Sequence, residues 1–200
     1  MDVLAIRRAL LSVTRKDGLA ELASFLHGQG VELVSTGGTM KFLKDQGLPV
    51  TAVSEVTGFP EILDGRVKTL NPRIHGGILA DKDNPAHLAT LAEHGITPFD
   101  LVCVNLYDFA SALEKKLPAR AMVEDIDIGG PCLLRASAKN YHSVLVLPDP
   151  ACYGEAIALL KRGGVDLAFR QRMAARTFRI TSRYDDMIAA WMESLTGAAL

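Results

Sequence analysis

The stretch VELVSTGGTMKFLKDQG, residues 31–47, joins two patterns that cannot belong to one element. Val31 to Val34 is an apolar run of the strand type. Met40 and Leu43 lie three apart with Lys41 between them, the spacing of a helix face. The five residues between, Ser35, Thr36, Gly37, Gly38 and Thr39, therefore make a strand-to-helix turn. Such a turn aims backbone N–H groups and hydroxyls at one point, at the positive end of a helix, where a phosphate is well held. The same residues also read as an ordinary helix start, with Thr36 or Thr39 as the N-cap and the glycines easing the bend. A short glycine-rich match does not decide between the two.

On both sides of this turn, apolar runs alternate with amphipathic segments. ALLSV (9–13), VELVS (31–35), LPVTAVSEVTG (48–58), FDLVCVNLY (99–107) and SVLVL (143–147) read as five strands. Residues 19–30, 84–95 and 150–164 read as helices, and a long amphipathic pattern runs from Leu167 to Leu195. A helical stretch containing Pro118 lies between the fourth and fifth strands, and residues 59–82 show no clean period. Strands alternating with helices predict an α/β fold of three layers, α/β/α, with a mainly parallel sheet. We expect one domain over 1–200, with a helical tail from about 165 to 195. In such sheets ligands sit beyond the carboxyl ends of the strands. SVTRKDG, STGGT and NLYD all follow strand ends, so these loops are expected to converge on one crevice.

Composition narrows the function. The 200 residues are 48% hydrophobic, which fits a folded globular core. A formal net charge of -1 argues against a broad nucleic-acid surface. No apolar run approaches the ~20 residues that span a bilayer, and the start has no signal-peptide order, so a cytoplasmic location without membrane attachment is expected. Cys103, Cys132 and Cys152 are widely spaced and form no C-x-x-C. With five scattered histidines, they give no metal-ligand spacing, and no metal is expected.

Two further stretches carry chemistry. In DGRVKTLNPRIHGGILA (64–80), Arg66 and Lys68 lie two apart, beside Thr69, and share a face if the chain is extended. They can bind an anion or meet a developing negative charge; they can equally be a solvated basic loop. In DIDIGGPCLLRASAKN (125–140), Asp127 stands at a helix mouth and Lys139 near the helix's other end. They read as a proton-transfer pair, or as a cap and a dipole-complementing cation, and spacing alone favours the second. Gly129 and Gly130 can offer N–H groups to a carbonyl or formyl oxygen, while His75 and His142 read as structural or surface residues.

Taken together, ALLSVTRKDG, ELVSTGGT, VTGFPEILDGRVKTLNPRIHGGILA, FDLVCVNLYDF, IDIGGPCLLRASAKN, LPDPACYGE and the tail AARTFRITSRYDD stand in order at matching spacing. The chain thereby resembles the N-terminal IMP cyclohydrolase domain of the bifunctional AICAR transformylase/IMP cyclohydrolase family. The resemblance implies a methylglyoxal-synthase-like fold with five strands in the order 3-2-1-4-5. It also implies closure of the purine ring of the ribotide FAICAR to IMP with loss of water and no cofactor; a homodimer is expected instead from the apolar residues of the tail helix. By resemblance Lys68, Tyr107, Asp127 and Lys139 match catalytic positions. Ser12, Lys16, Ser35, Thr36, Gly37, Gly38, Thr39, Arg66 and Thr69 would hold the 5′-phosphate and nearby groups. Asn105, Ile128, Gly129 and Gly130 would complete the substrate site. The tail helix, with Phe178, Tyr184, Met187, Ile188 and Trp191, offers apolar surface either to a second copy or to the chain's own sheet.

Three departures from the family pattern stand out. The loop after strand one reads Thr14-Arg15-Lys16-Asp17 where the family has SDKT, Asp108 replaces a proline, and Asn71 replaces a histidine. The family continues into a transformylase domain that is absent from these 200 residues. A non-catalytic phosphate- or nucleotide-binding module of the same fold is the rival reading; it needs the cradle but not the four catalytic positions. DGRVKTL and IDIGGP argue against methylglyoxal synthase.

Overall fold

The structure, a computed structural model, describes residues 3–115 and 117–196. Five strands, β1 (Arg8–Val13), β2 (Glu32–Ser35), β3 (Thr51–Ala52), β4 (Leu101–Asn105) and β5 (Leu145–Leu147), form one parallel sheet in the order β3-β2-β1-β4-β5. This is the order implied by the resemblance. The direction in which successive strands are added reverses between β1 and β4, where Ala9 pairs with Leu101 and Val13 with Asn105. All five residues of β4 are buried, as a central strand covered on both faces requires. A two-residue antiparallel pair, Val3–Leu4 with Val165–Asp166, lies apart from this sheet.

Ten helices surround the sheet among the described residues: α1 (Leu19–Gly28), α2 (Gly37–Asp45), α3 (Val53–Thr57), α4 (Pro72–Leu79), α5 (Pro85–Glu93), α6 (Phe109–Glu114), α7 (Ala119–Met122), α8 (Gly129–Lys139), α9 (Tyr153–Leu160) and α10 (Leu167–Thr196). α1 packs with α9, and α8 with α4 and α10, giving a layer on each face. The amphipathic spacing explains the packing: α1 buries Leu19, Leu22, Ala23 and Leu26, all on one helical stripe.

Three local readings are corrected. The third strand, expected over 48–58, is confined to Thr51–Ala52, and Val53–Thr57 turns into helix. There the Glu55 carboxylate accepts from the Ala52 N–H, and Gly58 closes the turn in the left-handed region at φ 66°. Within the aperiodic stretch 59–82 lies α4, started by Asn71, whose side chain accepts from the Arg73 N–H, with Pro72 in the first turn. Pro118 does not sit inside a helix; it separates α6 from α7. Asp108, where a proline was expected, caps α6 by accepting from the N–H and hydroxyl of Ser111, and those bonds hold its carboxyl below the usual range.

The long α10 is covered by its own chain. Its buried residues Phe169, Arg170, Met173, Ala174, Thr177, Thr181 and Tyr184 form a stripe against the rest of the fold. Further along, Met187, Ile188 and Trp191 pack with Phe109, Ala112, Met122 and Tyr184 in a second, smaller core. The apolar surface that suggested a second copy is thus largely used within one chain; Phe178 remains partly exposed under the Arg135 guanidinium.

Candidate active site

The carboxyl ends of β1, β2 and β4 open into a cleft of about 660 Å³, within the range that holds small-molecule ligands. The turn quoted at the start forms one wall. Thr36 occupies the N-cap position of α2 in extended conformation, yet its hydroxyl makes no capping bond. Gly37 has φ +47°, a conformation that favours glycine, and exposes the first N–H groups of α2 toward the cleft.

Two residues of that turn face inward instead. Ser35 is fully buried, donates to the Leu11 carbonyl at 2.6 Å, and does not border the main cleft. The Thr39 hydroxyl accepts from the Val13 N–H and donates back to the Val13 carbonyl, locking α2 to the end of β1. Both side chains are spent on the fold: Ser35 ends the buried part of β2, and Thr39 lies on the buried face of α2 against the end of β1. Thr36, Gly37, Gly38 and the Thr39 N–H are what the turn leaves for a ligand.

Lys16 stands opposite, among the residues lining the cleft. Its ammonium donates to the carbonyls of Val13 and Thr14 at 2.5 and 3.0 Å, and burial pulls its pKa below the usual lysine value. Among the described residues no carboxylate pairs with it. Asn105 holds this loop: its side-chain oxygen accepts from the N–H groups of Thr14 and Arg15, and its amide donates to the Arg15 carbonyl. The altered residues Arg15 and Asp17 point out to solvent and lie outside the lining, whereas Thr14, a threonine in place of the family's serine, is part of it. Ser12 lies on the cleft floor.

The third wall is the loop before α4. Ile62 and Val67 pair as an antiparallel bridge, and Leu63, Asp64 and Gly65 all take positive φ at the tip. Arg66 pairs with Glu124 on the opposite rim, an exposed pair that spans the mouth. Lys68 pairs with Glu61 at 3.0 Å. That pair lies directly over Gly65, where a Cβ would come within 2.7 Å of the Lys68 side chain. Lys68, Thr36 and Gly37 also border a side cavity of about 230 Å³. Thr69 is buried, with its hydroxyl beside Gly129.

Asp127 closes the fourth side. One carboxylate oxygen accepts from the Gly130 N–H at 2.7 Å, and the Tyr107 N–H points to the same group. Burial nonetheless outweighs these bonds and raises its pKa. Asp127 is thus both a cap for α8 and a protonation-sensitive group facing the cleft. Gly130 permits this arrangement, since a side chain there would overlap the carboxylate. Tyr107, half-exposed, and Ile128 line the same mouth, with Gly129 at the start of α8.

Lys139 is not brought to this cleft. It is the exposed last residue of α8, ten positions beyond Gly129, or about 15 Å at 1.5 Å per residue. A direct proton-transfer pair between Asp127 and Lys139 within one chain is therefore excluded by the length of the helix. Lys139 occupies instead the position where a cation complements the helix dipole. Three residues that the sequence did not assign to the site take part: Glu61, Glu124 and Tyr184, the last read only as apolar tail surface. Glu124 meets Arg66 across 58 residues and Tyr184 meets Asp127 across 57, so only the fold brings them together. Glu61 sits seven residues before Lys68 on the other arm of a turn, the one pairing that local spacing could have suggested.

Helix N–H groups and a lysine held by carbonyls, set opposite a half-buried carboxylate at the switch point of a parallel sheet, make this an α/β domain with a polar cleft of ligand size. The chain belongs to the family described as MGS-like domain, which matches residues 18–132. The AICARFT/IMPCHase bienzyme family matches residues 137–199. The chain is 52% identical over 189 residues to the bifunctional purine biosynthesis protein PurH of Mycobacterium marinum, covering 94% of this chain and 36% of that protein. It is 49% identical over 197 residues to PurH of Parvibaculum lavamentivorans, covering 98% and 37%. The chain thus spans little more than a third of the length of these relatives. Among solved structures, that of ForH superposes with a TM-score of 0.82 at 36% identity, over 92% of this chain and 95% of that one. No helix among the described residues is long and apolar enough to cross a membrane.

Proposed function

We propose that the chain is an IMP cyclohydrolase, closing the ring of FAICAR to give IMP and water. The observation that carries this reading is the pairing, in one cleft, of helix N–H groups and Lys16 with the half-buried Asp127 carboxylate, whose pKa is raised. Names of relatives at about 50% identity that denote bifunctional purine biosynthesis enzymes, and the matched bienzyme family, support the same assignment.

In this reading the 5′-phosphate rests on Thr36, the N–H groups of Gly37 to Thr39 and the Lys16 ammonium. That places the heterocycle toward Tyr107, Asp127 and Gly129. The carboxamide nitrogen attacks the formyl carbon, and the new C–N bond pushes the formyl π electrons onto oxygen. Lys68 meets that charge once it leaves Glu61, and Tyr107 donates to the same oxygen. Asp127 takes the proton from the nitrogen, and the burial that raises its pKa makes it a stronger base than an exposed carboxylate. The proton held by Asp127 passes to the oxygen to make a hydroxyl, the formamido N–H supplies the second proton, and the oxygen leaves as water as the C=N bond of the purine forms. Holding both reacting groups of one molecule in attack geometry supplies much of the acceleration. No step calls on a metal or an organic cofactor.

A non-catalytic nucleotide-binding module would need the cradle alone, whereas Lys68, Tyr107 and Asp127 converge on the space beside it. Formation of IMP from FAICAR, followed by absorbance with the purified chain and no additions, tests the reading; binding of both compounds without turnover would favour the module. A cytosolic homodimer belongs to the same proposal, resting on exposed Leu63, Val123 and Ile128 at the cleft rim instead of the tail helix. Sedimentation showing only monomer at micromolar concentration would remove it.

A further inference from the structure

Asp127 lies on a short irregular segment, between a single 3₁₀ turn (Val123–Asp125) and the first residue of α8. Nothing in that segment's own backbone fixes the Asp127 N–H. It donates instead to the phenol oxygen of Tyr184, at 2.8 Å, and the same hydroxyl donates to the Asp125 carbonyl at 3.3 Å. One side chain thus clasps both ends of the turn that carries the carboxylate. Tyr184 is 5% exposed and sits halfway along α10. Its ring meets Phe109 edge-on at 6.3 Å, and Phe109 meets Trp191 in the same way at 5.7 Å. Phe109 opens α6, which follows directly on the loop carrying Tyr107.

We propose that Tyr184 is the positioning residue for Asp127, its phenol holding the 125–127 turn so that the carboxylate faces the reacting nitrogen. The hydroxyl does not reach the cleft lining, so it touches no substrate and works through Asp127 alone. The second small core seats this oxygen by packing the ring among Phe109, Met122 and Ile188. Burial pushes the Tyr184 hydroxyl up to about 12, so it stays protonated and keeps donating across the working pH range. If the phenol is lost, the Asp127 N–H is left without its acceptor, and the turn relaxes toward water. A misplacement of about 1 Å at a reacting group costs on the order of 10²-fold in rate.

The inference rests on the role given above to Asp127, and the two fail separately. Tyr184→Phe removes both hydrogen bonds and keeps the ring. We expect kcat for FAICAR cyclisation to fall at least tenfold with KM within about twofold, since the phosphate cradle lies on other elements. In an Asp127→Asn background the same substitution should cost almost nothing more, because a residue acting through Asp127 has nothing left to position. Phe109→Leu, which loosens the same core but leaves the hydroxyl, should lower Tm while kcat holds. Wild-type kcat in Tyr184→Phe, an equal loss in both backgrounds, or an equal loss in Phe109→Leu would each overturn the proposal. Hydrogen exchange at the Asp127 amide of the unmodified chain tests the clasp without any substitution: protection like that of Gly130 supports it, and exchange at the rate of an open loop overturns it. Should Asp127→Asn itself keep wild-type kcat, the proton-transfer reading falls whatever Tyr184 does.

Discussion

Gly130→Ala is the substitution whose consequence the geometry fixes most tightly. Gly130 lies in the first turn of α8, where alanine is intrinsically favoured over glycine by roughly 1 kcal/mol. Propensity alone therefore predicts a stabilised protein. The cleft predicts a damaged one. A Cβ at this position would stand 2.8 Å from the Asp127 carboxyl carbon, closer still to its outer oxygen, and 2.8 Å from a methyl of Leu106. Carbon–carbon contact is comfortable at about 3.5–4.0 Å, so something must move by about 1 Å. Leu106 leads into the Tyr107 loop and packs against both cores, which leaves the carboxylate as the freer of the two. Moving it breaks the bond from the Gly130 N–H at 2.7 Å. A 1 Å displacement of a catalytic group corresponds to about 10²-fold in kcat. Thermal unfolding should shift by only a few degrees, because gain in propensity offsets part of the strain, and KM should change little. The assay is FAICAR cyclisation by absorbance, with melting followed by circular dichroism. Wild-type kcat in a folded Gly130→Ala protein would refute the placement of Asp127 at the reacting centre.

Asp127→Asn should lower kcat by roughly 10²–10³-fold and abolish the acid limb of the rate profile. That limb should lie above the usual carboxylate range: burial raises the pKa, so the proton stays on to higher pH and the base is lost sooner on acidification. The stability effect has the opposite sense, since the folded chain holds the extra proton in that window, so the contribution of Asp127 to stability falls as pH rises through it; the difference in slope between wild type and Asp127→Asn should show that contribution. Gly38→Ala should hold or slightly raise Tm, since a Cβ there meets nothing within 4 Å and alanine favours the helix, yet raise KM for FAICAR and Kd for IMP if phosphate fills that space; unchanged binding of both, by titration, would place the phosphate elsewhere. Asn71→Ala should cost about 1 kcal/mol by removing the cap of α4, seen as a lowered midpoint in urea, and an unaltered midpoint would deny the cap its role.

How much of this was legible beforehand differs by element. The alternation of strand and helix, and the strand-to-helix turn at 35–39, could be read because both depend on residues close in sequence. The third strand misled because LPVTAV is apolar enough for a strand, while the helix that follows is set by Glu55 and Gly58 rather than by period. α4 was hidden because its turn of Asn71 and Pro72 is a start signal, but its body contains Gly76 and Gly77, which blur the apolar stripe. Within the turn, residue type could not say which hydroxyls face the ligand. Ser35 and Thr39 have the chemistry of phosphate binders and the positions of braces. The separation of Asp127 from Lys139 could have been seen in advance, because a helix of that length already keeps its ends apart. Glu124 and Tyr184 left no such trace, since their partners lie far off in sequence.

The two ends of the sheet show why the cleft, and not some other charged region, is the working end. At the amino end Asp100 accepts from the N–H groups of Arg7 and Arg8 and pairs with Lys82, whose ammonium also donates to the carbonyls of Phe99 and Ser143. Arg8 pairs with Glu32 at 2.9 Å, donates to the Thr97 carbonyl, and lies over the Phe99 ring. There each of these charges has an opposite charge and a geometry that closes around it, which is the signature of a brace. At the carboxyl end Lys16 is held by carbonyls and Asp127 by amides, each oriented but neither neutralised. Partial dipoles of this kind fix a charge in place without satisfying it, and a group left so is stabilised further only when a ligand arrives. Arg66 and Lys68 differ again: both are paired, but with the carboxylates of Glu124 and Glu61 on exposed arms, where screening leaves the pairs weak. An incoming or developing negative charge can compete for them at small cost, whereas the brace around Asp100 offers nothing to exchange.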